Sequence, residues 1–167
     1  TLMMRRLPVT GQRKTAIVTG ASQGIGAGIV KAFVDRGFNV VATSRKVTQS
    51  TEVTASNQVA LVDGHIGEPD TAGKVVEMAL SRFTTIDVLV NNAGIFFTKP
   101  FTEYTAADFR SLVSTNIEGF LYLTQLAINQ MLKQKTGGSI VTITAALARN
   151  PIRGVTGAGP MVTKGGV

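Results

Sequence analysis

The turn Thr19-Gly20-Ala21-Ser22-Gln23-Gly24-Ile25-Gly26 constrains this chain more than any other stretch. Before it, TAIVTG (residues 15–20) is a short apolar run ending in glycine, the pattern of a buried strand. After it, Gly24 to Arg36 carries Ile25, Ile29, Val30, Phe33 and Val34 in a helical stripe, closed by Gly37. A strand that turns on glycines straight into a helix makes an anion cradle. Small residues let the main chain approach a phosphate, and the helix start offers unpaired N–H groups and partial positive charge. Gly26 permits close contact between helix and strand. Tight turns also select glycine for steric reasons alone, so the flanking strand and helix carry the reading.

The rest of the chain repeats the alternation. FNVVATS (38–44) reads as a second buried strand and QVALVD (58–63) as a third. Between them, Ser50 to Asn57 is weakly patterned, a short helix or a loop. Glu68 to Phe83, with Pro69 early and Val75, Val76, Ala79 and Leu80 on one face, reads as a helix. IDVLVNNAG (86–94) is a fourth strand, Ala106 to Lys135 a long helical stretch, and SIVTIT (139–144) a fifth strand. Strand and helix in alternation imply parallel strands joined by right-handed crossovers, an α/β doubly wound sheet. The chain stops at MVTKGGV, a few residues into a further expected helix, and it does not begin with methionine. We read it as incomplete at its C-terminus, with later strands missing.

Composition narrows the chemistry. There is no cysteine, which removes disulfides, thiolate metal sites and a cysteine nucleophile. A single histidine, His65, removes histidine-rich metal sites and leaves no metal site to expect. The net charge of +7 favours anionic ligands. It brings no aromatic or motif support for a nucleic-acid partner. No apolar run reaches the ~18 residues of a membrane span. Much of the charge sits in TLMMRRLPVTGQRK, residues 1–14, read as a basic extension or as a membrane-associating or targeting arm. Residues 15–167 form the expected domain, and the expected location is the cytoplasm.

The glycine spacing is G-x-x-x-G-x-G, and Asn91-Asn92-Ala93-Gly94 closes the fourth strand. Asn116-Ile117-Glu118-Gly119 gives N-x-x-G, and Gly138-Ser139-Ile140-Val141 leads into the fifth strand. Together these motifs resemble the short-chain dehydrogenase/reductase family from about Thr15 onward. The resemblance implies a Rossmann-type domain that binds NAD(H) or NADP(H) and acts on a small carbonyl or alcohol substrate. Gly20, Ser22, Gln23, Gly24, Ile25 and Gly26 would line the pyrophosphate and nicotinamide ribose. Asn92, Ala93 and Gly94 would line the adenosine side, while the asparagines also tie strand ends together. In the family the long helix commonly packs on its mate, which implies a homodimer or homotetramer.

After the second strand comes Val41-Ala42-Thr43-Ser44-Arg45-Lys46, and no carboxylate occurs between Arg36 and Glu52. A carboxylate there would bind a ribose diol and repel a 2′-phosphate. Arg45, with Thr43 and Ser44, is instead placed to bind that phosphate, so NADP(H) is favoured over NAD(H). The alternative is that Arg45 and Lys46 are solvated loop charges. Where the family usually has an aspartate near the adenine amino group, Gly64-His65-Ile66 stands here. His65 could stack on or bond the adenine, or lie in solvent. Ile66 is expected beside the cofactor, and Asp63 could serve only if the loop shifts.

The family's chemistry needs a tyrosine acid/base, a lysine four residues later on the nicotinamide ribose, a serine after the fifth strand, and an asparagine in the proton relay. Asn116 and Lys164 match. The tyrosine position is Pro160 and the serine position is Ala145, with Thr144 adjacent as a possible substitute. The only tyrosines, Tyr104 and Tyr122, read as surface or interface residues. A water relayed from Asn116 through Lys164 is one route for the proton. Two functions follow: an NADP(H)-dependent oxidoreductase with an altered proton donor, or an NADP-binding pseudoenzyme acting as sensor or subunit partner.

Overall fold

The computed structural model describes residues 12–167. The expected basic extension, residues 1–14, therefore lies almost wholly outside the described residues.

Five strands form one sheet: β1 (Thr15–Thr19), β2 (Asn39–Ser44), β3 (Val59–Asp63), β4 (Val88–Asn91) and β5 (Ser139–Thr142). Their order is β3-β2-β1-β4-β5, and every neighbouring pair is parallel. Side chains alternate across the sheet, so both faces must be apolar where both are covered. Ile17, Val41 and Leu89, in register across the three central strands, face the helices α2 (Pro69–Phe83) and α4 (Gly119–Gln134). Val18, Ala42 and Val90 face the other way, into a cluster with Ala27 and Val30 of α1 (Gly24–Asp35). β1 is buried at all five positions, which explains its unbroken apolar run.

Helix ends are set by local chemistry. The N–H of Gly37 donates to Val34 O and that of Phe38 to Phe33 O, while the Phe33 and Phe38 rings meet at 5.0 Å. This is a Schellman stop with its hydrophobic contact. Helix α3 (Ala106–Val113) starts in a capping box, Thr105 with Asp108.

Several boundaries differ from the sequence reading. The expected strand 86–94 pairs only from Val88 to Asn91, because Asn92 turns its N–H back to Val90 O and to Thr19 Oγ1. The fifth strand ends at Thr142 rather than Thr144. The stretch 50–57 is a loop, preceded by a single 3-10 turn at Val47–Gln49. The long helix 106–135 is interrupted: Ser114–Glu118 is a π-helical segment between α3 and α4. A final helix, α5, spans Ala158–Gly166 and packs on α3 and on the π segment. Neither tyrosine is a free surface residue: Tyr122 packs on the core, and Tyr104 donates its hydroxyl to Phe97 O and lies against Gly159.

Candidate functional site

In a doubly wound sheet the crevice opens at the carboxyl ends of the strands, where the order reverses. Here the reversal lies between β1 and β4. A cavity of about 740 Å³ opens there, within the size range of ligand sites. Four loops line it: Gly20, Ser22 and Gln23 after β1, Thr43 to Lys46 at the end of β2, Gly64 to Ile66 after β3, and Ala93 to Ile95 with Phe97 after β4. Ser111 and Thr115 close it from the helical side. No acidic side chain lines it among the described residues, while Arg45 and Lys46 do.

The glycine turn is built by close approach. Gly20 has φ +63°, a conformation that side chains rarely adopt, and a Cβ there would lie 2.8 Å from Ala93 Cα. A Cβ on Gly26 would run into the Gly20 carbonyl and come 2.7 Å from Asn92 Nδ2. Asn92 fixes this arrangement: its Nδ2 donates to Thr19 O (2.9 Å) and Gly20 O (3.2 Å). Thr19 Oγ1 accepts from the N–H of Asn92 (3.0 Å) and of Ala93 (2.9 Å). Asn92 and Gly26 thus support the cradle from behind and do not line the cavity. Ile25 points outward, 68% exposed, and neither it nor Gly24 lines the cavity.

Two braces were not visible in the sequence. Ser50 Oγ donates to Ser22 O (2.6 Å), and the Glu52 carboxylate accepts from Gly24 N–H (3.2 Å). Both come from the weakly patterned loop after β2, and no local pattern marks such a contact across 28 residues. Asp63 is also committed: it accepts from Thr48 N–H (2.9 Å) and the Thr48 hydroxyl, which hold its pKa below the ordinary value. It does not line the cavity.

Thr43 lines the cavity with its hydroxyl buried and without a hydrogen-bond partner. A buried polar group without a partner is costly. On the opposite wall, Lys99 pairs with Asp108 at 2.7 Å and anchors the loop carrying Phe97. The Lys99 contact and then the Thr105 N–H hold Asp108 at a pKa of about 2.

The π segment seats Asn116. Its Nδ2 donates to Ile95 O (3.1 Å) and Thr163 Oγ1 (2.9 Å), and its Oδ1 accepts from Ile95 N–H (2.9 Å). No amide proton of its side chain is left for a relay, and no hydrogen bond joins it to Lys164 among the described residues. The Lys164 ammonium donates to Ile143 O (3.0 Å) and lies so close to Gly94 that a Cβ on that glycine would be 2.6 Å from it. A small cavity of about 10 Å³ separates Lys164, Asn116, Asn91 and Thr142, near the minimum for one water. Pro160 is buried in the first turn of α5, and Ala145 follows β5 with Thr144 exposed beside it. Neither Pro160 nor Ala145 can give a proton.

Desolvation lowers the Lys164 pKa below the ordinary lysine value. Between the folded and unfolded values the unfolded chain binds the extra proton, so stability rises with pH across that window. The native chain should therefore gain stability relative to Lys164→Met as pH climbs toward 10.5. Urea unfolding of both chains from neutral to alkaline pH measures this. A constant difference would show that the ammonium is as well solvated as in the unfolded chain.

Comparison with known proteins points to one family. The family model for short chain dehydrogenase covers residues 14–157. An uncharacterized oxidoreductase of Staphylococcus saprophyticus is 34% identical over 132 residues, 75% of this chain and 56% of that protein. Among solved structures, a short-chain dehydrogenase/reductase from Brucella melitensis, described as a glucose/ribitol dehydrogenase, aligns with a TM-score of 0.81 at 31% identity. The alignment covers 93% of this chain and 66% of that one. A 3-ketoacyl-(acyl-carrier-protein) reductase from the same organism, solved with NADH, aligns at 0.83 and 26% identity, covering 92% and 65%. The chain spans about half the length of the curated relatives it matches. With the glycine cradle, the sheet order and the family model agreeing over most of its length, the chain belongs to the short-chain dehydrogenase family.

Proposed function

We propose that this chain binds NADP(H) in the 740 Å³ cavity and serves an oxidoreductase that interconverts a small carbonyl compound and its alcohol. The observation that carries the reading is the cavity itself, with a main-chain cradle at one end, two cations and no carboxylate on its walls. The residues fit such a group. The glycine turn meets a diphosphate through N–H groups at the start of α1 other than that of Gly24, which Glu52 holds. Arg45, on the same wall, meets a ribose phosphate. When bound, the nicotinamide supplies the hydride. The chain's own work is to orient the dinucleotide along Gly94 and Ile95 and to hold the Lys164 ammonium behind Gly94.

The cofactor class is supported by the NADH bound in the Brucella reductase. The choice of NADP(H) rests on Arg45. Arg45→Ala is expected to weaken NADPH binding about tenfold or more and to leave NADH binding within about threefold. Fluorescence titration of both nucleotides checks this. Equal losses for the two would assign Arg45 to solvent instead.

Pro160 and Ala145 support a second reading, a pseudoenzyme that binds the dinucleotide without turnover. A screen of ketones with NADPH separates the two. Self-association is proposed from α4, where Leu121, Ile128 and Leu132 share one exposed face, Leu132 at 71%. Size exclusion tests it. No helix among the described residues is long and apolar enough to cross a membrane, and a cytoplasmic location is our proposal.

A further inference from the structure

Position 65 carries the one histidine of the chain, and it lies in the cavity wall where a dinucleotide's base would rest. The topology assigns the cavity from end to end. The β1–α1 turn takes the diphosphate and the end of β2 the ribose, which leaves the base beyond β3. That wall is the loop Gly64-His65-Ile66.

The loop is seated by close packing against the first residue of α4, directly after the π segment. A Cβ on Gly119 would come 2.5 Å from Ile66 Cγ2 and 3.3 Å from its carbonyl carbon. Glycine at 119 thus lets the loop lie against the segment that carries Thr115. The partners of His65 then assign its tautomer. The N–H of Gly67 donates to His65 Nδ1 at 3.2 Å, so that nitrogen carries no proton. A neutral imidazole with a bare Nδ1 is protonated at Nε2. Nε2 lies 3.3 Å from Thr115 Oγ1, so the ring donates and the hydroxyl accepts. The Thr115 hydroxyl proton is then free to turn away from His65. Thr115 lines the cavity and has no other hydrogen-bond partner among the described residues.

We propose that His65 and Thr115 read the base by offering it a hydroxyl donor, so that this chain accepts a 6-oxopurine dinucleotide as readily as a 6-aminopurine one. The inference rests on the dinucleotide reading of the cavity. A 6-amino group is a donor and calls for an acceptor, whereas a 6-oxo group accepts the Thr115 proton directly. The aminopurine keeps ring nitrogens that accept the same proton, so neither base is excluded. A carboxylate at position 65 would reverse the choice by accepting from the amino group and repelling the oxo group. Asp63, the nearest carboxylate in sequence, is held by Thr48 and is turned to other work.

Equilibrium titration of the 167-residue chain with NADPH and with its reduced hypoxanthine counterpart tests this by nicotinamide fluorescence. The native chain is expected to bind the two within about threefold, a difference smaller than one hydrogen bond. His65→Asp should shift the ratio about tenfold or more toward NADPH. Thr115→Val, a nearly isosteric change, should weaken the hypoxanthine form about tenfold and the adenine form by less. If His65→Asp does not fold, the Thr115→Val ratio decides. A native preference for NADPH beyond tenfold that neither variant alters would overturn the proposal. Binding of neither nucleotide would overturn the dinucleotide reading and this inference with it.

Discussion

Introducing a tyrosine at position 160 and a serine at position 145 together should raise NADPH-dependent ketone reduction about 10²–10⁴-fold, the usual worth of a placed acid–base group. Pro160 is the third residue of α5, within the first turn, where main-chain N–H groups have no intrahelical partner. Exchanging proline for tyrosine there leaves the helical hydrogen bonds in place. Position 160 stands one turn before Lys164 on the same helical face. Lys164 lies against Gly94, after β4, and Pro160 is buried one turn before it in α5. A phenol beside that ammonium has its pKa lowered toward working pH. A Pro160→Tyr, Ala145→Ser chain that binds NADPH as the native chain does, yet turns over no faster on a panel of ketones, would show that these two losses do not limit the rate.

Gly20→Val should abolish dinucleotide binding, with an affinity loss of about 100-fold or more. The residue has φ +63°, where a β-branched side chain costs about 1–2 kcal/mol before any clash. Its Cβ would also press on Ala93 Cα at 2.8 Å and Asn92 Nδ2 at 3.0 Å. Relief requires the turn to shift, which moves the N–H groups at the start of α1 off the diphosphate. Two such charge-assisted bonds at ~1.5–3 kcal/mol each account for the expected loss. Gly28→Ala, in α1 with nothing within 4 Å of the added carbon, is the matched control. It should stabilise the chain by about 0.5–1 kcal/mol and leave binding unchanged. Circular dichroism melts and NADPH titrations of both variants separate loss of the cradle from loss of the fold.

The sheet was legible because its strands are buried on both faces, and such strands are spelled as nearly unbroken apolar runs. Ile17 and Val18, Val41 and Ala42, Leu89 and Val90 each send one side chain to either core. The cradle was legible because Gly20 and Gly26 stand where a Cβ would collide with Ala93 or the Gly20 carbonyl. What stayed hidden depends on partners distant in sequence. Asn92 ends β4 by bonding to Thr19, and Glu52 braces Gly24 from a loop without periodicity. The π segment at Ser114–Glu118 leaves no mark in the apolar pattern, since it changes only which carbonyl each N–H reaches. The covering of Tyr104, a surface or interface residue by its local pattern, comes from Phe97 and Gly159 in two other segments.

In the proposed function the crevice between β1 and β4 holds a pyridine dinucleotide. Calorimetric titration of the purified chain with NADPH tests it most directly. Saturable binding at one site is expected, with a dissociation constant below about 1 mM, the upper end of ordinary substrate affinities. No heat of binding and no fluorescence change at millimolar NADPH or NADH would contradict it.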